Sequence, residues 1–411
     1  MSLGHAGGPE AEAAAALLRP KAIRERCGRI FSHVAEGKSS VFRLHEDRLE
    51  ALAKRVAEVT KNAYPELRVP YHSRWNHIRA GGVDRRGRLE RALKDCGDDE
   101  LTRRRFEYVI VSVLLDAGAG PDWSFEEDGQ RYTRSEGLAV AVASAFEAGA
   151  FASDGTPKAD ADGLSAFDEG AVRKAFGVNE ENPLVGVAGR ASLIAELGAA
   201  VAQRPDIFGP DQRLGGLFDV LLRVVEDGRL RAAYVLDAVL EGLGPIWPGR
   251  IRLGGRNLGD VWRHPAAGGD AFSEGLVPFH KLSQWLTYSL LEPLEWAGIT
   301  ISEIDELTGL AEYRNGGLFV DGGVLEVVDP AVLESPQAPE SEAVVEWRAS
   351  TVVLLDRIAP LVRAQLGVKE ADYPLAKVLE GGTWQTGRVL ATEARSDGTP
   401  PITLASDGTV F

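Results

Sequence analysis

Between Leu276 and Asp321 the chain concentrates residues whose types and spacing suit chemistry. On a helix, Lys281, Trp285, Tyr288 and Glu292 stand at i, i+4, i+7 and i+11 and share one stripe. A base, two aromatic rings and an acid on one stripe could floor a small-molecule pocket. Pro278 places His280 and Lys281 in the first turn, where free backbone N–H groups favour anions. Downstream, Glu312-Tyr313-Arg314 runs into Gly316-Gly317, read as a Gly-rich turn that holds a carboxylate against a ligand. Glu312 is then a general base or an electrostatic stabiliser; the plainer alternative is an exposed helix-end carboxylate paired to Arg314.

Three further clusters carry polar chemistry. His72, Arg74, Trp75, Asn76, His77, Arg79, Arg85 and Arg86 crowd around Gly81-Gly82. Arginines there could grip phosphate or carboxylate through bidentate bonds, or the stretch is a solvated loop. His72 and His77 are five residues apart, unlike the i, i+4 pair of a helical metal site. Asp116, Asp122, Trp123, Glu126 and Glu127 follow an apolar helix, and Trp123 either stacks on a planar ligand or packs that helix's end. Arg250, Arg252, Arg256, Asp260, Trp262, Arg263 and His264 lie among Gly249, Gly254, Gly255 and Gly259, without the G-x-G-x-x-G order of a dinucleotide site. A P-loop, an H-E-x-x-H pair and a G-x-S-x-G elbow are also absent from the sequence.

These residues must be positioned mainly by helices. Amphipathic patterns cover 46–62, 101–116, 137–149, 190–203, 214–226, 230–242, 278–296, 341–366 and 373–392. Pro293 predicts a kink or early end within 278–296. Strand signals are few: a hairpin over Leu318–Val328 and a short β piece over Ile402–Phe411. The segments 150–188 and 329–341 read as loops. We expect a flexible leader over 1–20 and one large helical domain over 21–411, with a subdivision near 150–188. The 411 residues carry 44% hydrophobic and 26% charged side chains, ordinary for a soluble globular protein. A net charge of -15 disfavours nucleic-acid polymers and anionic membranes as partners. No window approaches 18 uninterrupted apolar residues, so no membrane span is expected. With only Cys27 and Cys96 and no signal-peptide pattern, the expected compartment is the cytoplasm.

Several runs resemble a family of unknown function encoded in fungal and bacterial uracil-catabolism gene clusters. They are GLVPFHKLSQWLTYSLLEPL (275–294), YRNGGLFVD (313–321), LEGGTW (379–384), HSRWNHIR (72–79) and the closing SDGTVF (406–411). The resemblance covers nearly the whole chain. It implies a place in the oxygen-independent, ring-opening route from uracil through a ribosylated intermediate. A more distant similarity lies in Phe279-x-Lys281-x-x-Gln284 followed by Asp305-x-Leu307-Thr308-x-x-Ala311-Glu312-Tyr313-Arg314. This order resembles the queuosine-salvage glycosylases, whose pattern is Tyr-Lys-Arg-Ala-Gln, then Leu/Ile-Thr-Met-Phe-Ala-Asp-Tyr-Arg. Glu107 to Asp116 and Trp123 occupy the place of that family's Leu-Asp-Ala-Leu-Asn-Phe-x-Phe-Trp stretch. The similarity implies a multi-helical, DNA-glycosylase-like core with a few short strands, and cleavage of an N-ribosidic bond. Its motif carboxylate falls at Glu312, one methylene longer than the family's Asp. Ala119-Gly120-Pro121-Asp122 replaces the family's base-stacking element.

The resulting expectation is a hydrolase acting on ribosylurea or its monophosphate. Glu312 would orient water and stabilise an oxocarbenium-like sugar. Asp122, Asp260 or Glu292 would protonate the departing urea. His280, Lys281 and Arg314 would hold ribose or phosphate, with Gln284, Tyr313, Arg74, His77 and Arg79 as further binding residues. Trp123, Trp285 and Tyr288 would wall the pocket. This chemistry calls for no metal and no redox cofactor. The competing readings are a phosphoribosyltransferase, whose strand with paired acids is not matched by Val235–Gly242, and a non-catalytic partner of the pathway's ring-opening enzyme.

Overall fold

A computed structural model of the chain describes residues 7–247 and 250–405. The SDGTVF run, Gly249 and residues 1–6 of the expected leader lie outside the described residues. The fold is mainly α-helical, and the described strands form two-stranded pairs. The chain divides into two compact units. The first comprises residues up to His72, Pro248–Gln284 and the chain from Glu303; the second comprises Ser73–Trp247 and Trp285–Ser302. The segment 150–188 therefore lies wholly inside the second unit, and it contains the short helices Ala161–Ser165 and Glu169–Ala175. Residues 9–17 of the expected leader are helical, and Ala14 and Leu17 are buried against Leu258, Val261 and Leu276.

The first unit is organised on the 25-residue helix Glu342–Leu366. Ser341 caps its start through Val344 N–H, and Gly367 ends it in the left-handed conformation at φ 71°. Helix Pro20–Ala35 and helix Leu49–Ala63 pack on it. In the latter, Leu49, Leu52, Ala53, Val56, Ala57 and Thr60 form the buried face at helical spacing. Ile23, Cys27 and Ile30 meet Trp262, Val277, Phe279, Ala311, Val345, Ala349 and Val352 in one apolar cluster. Strand Val261–Arg263 pairs antiparallel with Leu276–Pro278, and Phe42–Leu44 with Leu325–Val327.

The expected hairpin over 318–328 is not formed. Tyr313–Asp321 is a helix, and only Leu325–Val327 is extended. Glu312 supplies the helix cap, and the glycines serve close packing instead of a turn. A Cβ on Gly316 would stand 2.6 Å from the Trp347 ring, and one on Gly387 would stand 2.2 Å from the Arg314 carbonyl oxygen. Helices Tyr313–Asp321 and Trp384–Ala394 can therefore approach backbone to backbone.

The second unit packs Asp98–Leu114, Arg134–Glu147, Val187–Gln203, Gly216–Leu222 and Ala232–Leu243 around a chain of aromatic contacts. Trp296, Trp75, Tyr108, Phe146, Phe151 and Phe167 follow one another at ring separations of 4.7–6.5 Å. Strands Arg229–Arg231 and Thr300–Ser302 pair in parallel.

Helix Lys281–Trp296 gives its first four residues to the first unit and the rest to the second, and it runs on through Pro293. A proline cannot donate to the carbonyl four residues earlier, here that of Ser289. The Trp75 indole N–H takes that role at 2.9 Å. The same residue's Oγ accepts Arg74 N–H at 2.9 Å and fixes the start of helix Arg74–Ile78. Replacing Trp75 by Phe leaves the buried carbonyl unpaired. We expect a stability loss of at least ~1–3 kcal/mol, read by urea denaturation; an unchanged midpoint would refute this account of the proline-bearing helix.

Candidate functional site

Glu312 caps helix Tyr313–Asp321 from inside the first unit. Its side chain is 8% exposed, and its oxygens accept Arg314 N–H at 2.7 Å and Asn315 N–H at 2.5 Å. Burial pushes its pKa up, while these two N–H groups and the charges of Lys281 and His72 act to lower it. It is thus neither exposed nor an ion-pair partner of the Arg314 guanidinium, which donates to Gly398 O at 2.8 Å.

The residues around Glu312 are locked by a polar network. Asn315 donates to Leu310 O at 3.3 Å and accepts from Thr383 Oγ at 2.8 Å. Gln284 donates to Thr308 Oγ1 at 2.9 Å and accepts Thr308 N–H at 3.4 Å. Arg24 donates to the carbonyls of Asp305, Glu306 and Leu307, and Asp305 accepts from Arg363 and Leu375 N–H. His72 bonds Glu380 at 2.7 Å. Gln284 is therefore a positioning group, buried at 0% exposure. Asn315, Thr383 and Glu380 were missed as site residues. They sit inside the YRNGGLFVD and LEGGTW runs, but only the fold brings those runs together.

Two expected roles near the helix start are overturned. Asp260 is not a proton donor: Arg348 clasps it at 2.8 Å through both terminal nitrogens, and Trp262 Nε1 and Lys281 N–H donate at 2.6 and 3.0 Å. Burial works to raise its pKa, but Arg348 and these bonds outweigh it and hold it at about 2. The anion at the first turn of helix Lys281–Trp296 is thus the chain's own carboxylate. His280 is no phosphate clamp either. Its backbone is left-handed at φ 48°, its Nε2 donates to Leu17 O at 3.0 Å, and burial lowers its pKa. Lys281 is partly exposed, and its charge acts on Glu312. Tyr313 is partly buried, with the Arg314 guanidinium 5.2 Å from its ring centre.

The second unit gathers another part of the expected set. Arg74 is fully buried and donates to Ser112 Oγ at 2.9 Å, His77 Nδ1 at 3.0 Å and Ser135 O at 3.2 Å, with Asp116 2.9 Å away. Its guanidinium carbon stands 5.7 Å from the Trp285 ring centre, and His77 meets the same ring edge-on at 5.9 Å. Arg74 Nη2 and Trp285 Nε1 are buried without a hydrogen-bond partner among the described residues. Two enclosed donors beside an aromatic face suit an oxygen-rich ligand. Glu292 is buried, bonded by Ser73 Oγ and 3.7 Å from Arg79 Nη2. Burial raises its pKa, against the Ser73 hydrogen bond and the Arg79 charge, which lower it. Tyr288 is fully buried. Trp123 is core, donating to Phe176 O at 3.0 Å and packing on that ring, and Asp122 beside it is exposed. Neither matches its expected role, because the apolar helix end needs Trp123 as its plug.

Two outcomes follow from these charges. Asp260→Asn leaves Arg348, 2% exposed, buried without its anion, so stability should fall by about 3–5 kcal/mol; wild-type denaturation by urea would remove Asp260 from its structural role. For Glu312 the folded pKa lies above the unfolded one. Its contribution to stability is therefore full below the unfolded carboxyl pKa and is lost as pH rises through the folded value. The stability advantage of wild type over Glu312→Gln should shrink as pH is raised from the ordinary carboxylate range to neutrality. An advantage that grows with pH would contradict the assigned direction.

Comparison with known proteins bears on the whole chain. Residues 16–411 match the family described as "Protein of unknown function (DUF1688)". "Uracil catabolism protein 4" of Lachancea kluyveri is 38% identical over 427 residues, covering 95% of this chain and 97% of that protein. "Protein urg3" of Schizosaccharomyces pombe is 37% identical over 413 residues, covering 97% and 99%. Among the described residues no helix is long and apolar enough to cross a membrane. Matched along nearly its full length, the chain belongs to this family of proteins of unknown function.

Proposed function

We propose that the protein is a hydrolase that cleaves the N-ribosidic bond of a ribosylated intermediate of uracil breakdown, with ribosylurea or its monophosphate as substrate. The observation that carries this reading is Glu312: a carboxylate inside the first unit, oriented by two main-chain N–H groups and raised in pKa by burial. A base shifted upward toward neutrality abstracts a proton more effectively than an ordinary surface carboxylate. The name of the Lachancea kluyveri relative supports the pathway.

In this reaction the oxygen of water bonds to the anomeric carbon as the C–N bond breaks. The bonding pair leaves with the urea nitrogen. Glu312 accepts a proton from the water and its charge stabilises the oxocarbenium-like sugar. An acid must protonate the departing nitrogen, since urea anion is a poor leaving group. Of the carboxylates considered for this task, Asp260 is a fixed anion and Asp122 is exposed.

The test is release of ribose and urea from ribosylurea and from its monophosphate, with Glu312→Gln run in parallel. Wild type should release both products, and the variant should lose ~10²–10³ in rate while keeping a cooperative melt. Turnover near wild type in a folded variant would remove Glu312 from the chemistry. No release from either compound by folded wild type would refute the hydrolase reading.

A further inference from the structure

Away from the residues used above, the first unit assembles a donor set with no role in ribosidic hydrolysis. His264 follows strand Val261–Arg263, and Glu342 and Glu346 stand one turn apart on helix Glu342–Leu366. One ligand atom from each lies within 4.8 Å of the others. His264 Nε2 is 3.4 Å from Glu346 Oε1 and 4.0 Å from Glu342 Oε1. His33, on helix Pro20–Ala35, brings its Nε2 to 3.8 Å from Glu346 Oε1. Its ring meets that of His264 edge-on at 6.0 Å.

Two observations separate this set from an ordinary surface ion-pair cluster. The His264 and Glu346 side chains are wholly buried, yet His264 Nε2 and Glu346 Oε1 have no hydrogen-bond partner among the described residues. Such atoms are costly to enclose unless something binds them. The other Glu346 oxygen is already oriented, accepting Ser39 Oγ–H at 2.5 Å, while Ser39 Oγ accepts Val41 and Phe42 N–H at 3.0 and 2.9 Å. A serine supplies no charge, and histidines bring their ring nitrogens within ion-pair distance of Glu346. A carboxylate fixed by a second residue, with its free oxygen beside imidazole nitrogens, is the arrangement of a metal ligand with its supporting bond.

We propose that His264, Glu342 and Glu346, with His33 as a fourth donor, bind one divalent transition ion of the zinc class. Donor–metal distances of about 2.0–2.2 Å place the ligand atoms of a tetrahedral ion roughly 3.3–3.6 Å apart. His264 Nε2 and Glu346 Oε1 already stand at that spacing, Glu342 needs a small shift, and His33, outside the group whose ligand atoms lie within 4.8 Å of one another, must swing inward to complete the set. Mixed imidazole and carboxylate donors suit Zn²⁺ or Co²⁺ better than a thiolate-seeking ion. His264 Nδ1 accepts Ala266 N–H at 3.1 Å, so the neutral ring carries its proton on Nε2. Taking the ion at Nε2 moves that proton to Nδ1 and gives up this one contact. Glu342, 56% exposed, opens the site to solvent. The ion cross-links helix Pro20–Ala35, the segment after strand Val261–Arg263 and helix Glu342–Leu366, and it is independent of the ribosidase reading.

The test uses the full chain, stripped with chelator and titrated with ZnCl₂ and with CoCl₂. Expected are one ion per chain surviving desalting, intense visible Co²⁺ bands of tetrahedral type, and a melting temperature raised by Zn²⁺. Glu342→Gln alters an exposed ligand, so it should fold normally and bind ~10-fold or more weakly; His264→Ala should abolish the Co²⁺ bands. If His264→Ala fails to fold, Glu342→Gln and His33→Gln decide. No retained ion, an aqua-type Co²⁺ spectrum, or affinity unchanged in both Glu342→Gln and His33→Gln would overturn the site.

Discussion

The bidentate pair between Arg348 and Asp260 is the interaction on which the first unit depends. Both groups are enclosed, and neither is tolerable alone in a low-dielectric interior. Arg348 belongs to the longest helix. Through Asp260 it reaches the Trp262 indole and the first N–H of helix Lys281–Trp296, and its own Nε donates to Ala311 O at 3.2 Å. Ala311 immediately precedes Glu312. One ion pair thus sets the entry of the basic-aromatic helix and the position of the candidate carboxylate. The Arg348 guanidinium also lies 4.0 Å from the Phe279 ring centre, which couples the pair to the apolar cluster beneath it.

The second unit solves a related problem with neutral groups. Pro293 withdraws a donor from the middle of a helix, and Trp75 returns it from another element. The Trp75 ring also joins the aromatic chain that runs from Trp296 through Tyr108 to Phe167. Arg74, its sequence neighbour, collects Ser112, Asp116, His77 and Ser135 into one buried network. A tryptophan that repairs the proline and an arginine that gathers polar groups are adjacent because helix Arg74–Ile78 starts on Ser289. In both units, then, the chemistry-bearing residues rest on bonds that first satisfy the backbone.

Much of this was legible in the sequence. Amphipathic spacing located most of the long helices within a few residues, because a helix buried on one face imposes its period on the apolar positions, but it passed over helix Pro20–Ala35. Glu312 stood out through the order of residues around it. The errors have one source. Gly316-Gly317 read as a turn because glycine permits one, but here the missing Cβ atoms admit Trp347 and Pro401. Trp123, Asp260 and His280 read as ligand-facing because aromatic, acidic and basic side chains are the usual tools of binding. Each is instead consumed by an internal partner: Phe176 O, Arg348 and Leu17 O.

The sequence by itself determined the helical class, the net acidic charge, the family and a short set of residues able to do chemistry. These follow from local period, composition and motif order, which need no knowledge of distant contacts. Tertiary structure alone decided which polar residues are spent on holding the protein together. The partner of Asp260 is 88 residues away and that of Asn315 is 68. His264 meets Glu342 and Glu346 only because a strand end is carried to the long helix. A side chain's charge and hydrogen-bonding capacity are written in its type, but whether they remain available depends on which groups the fold encloses beside it.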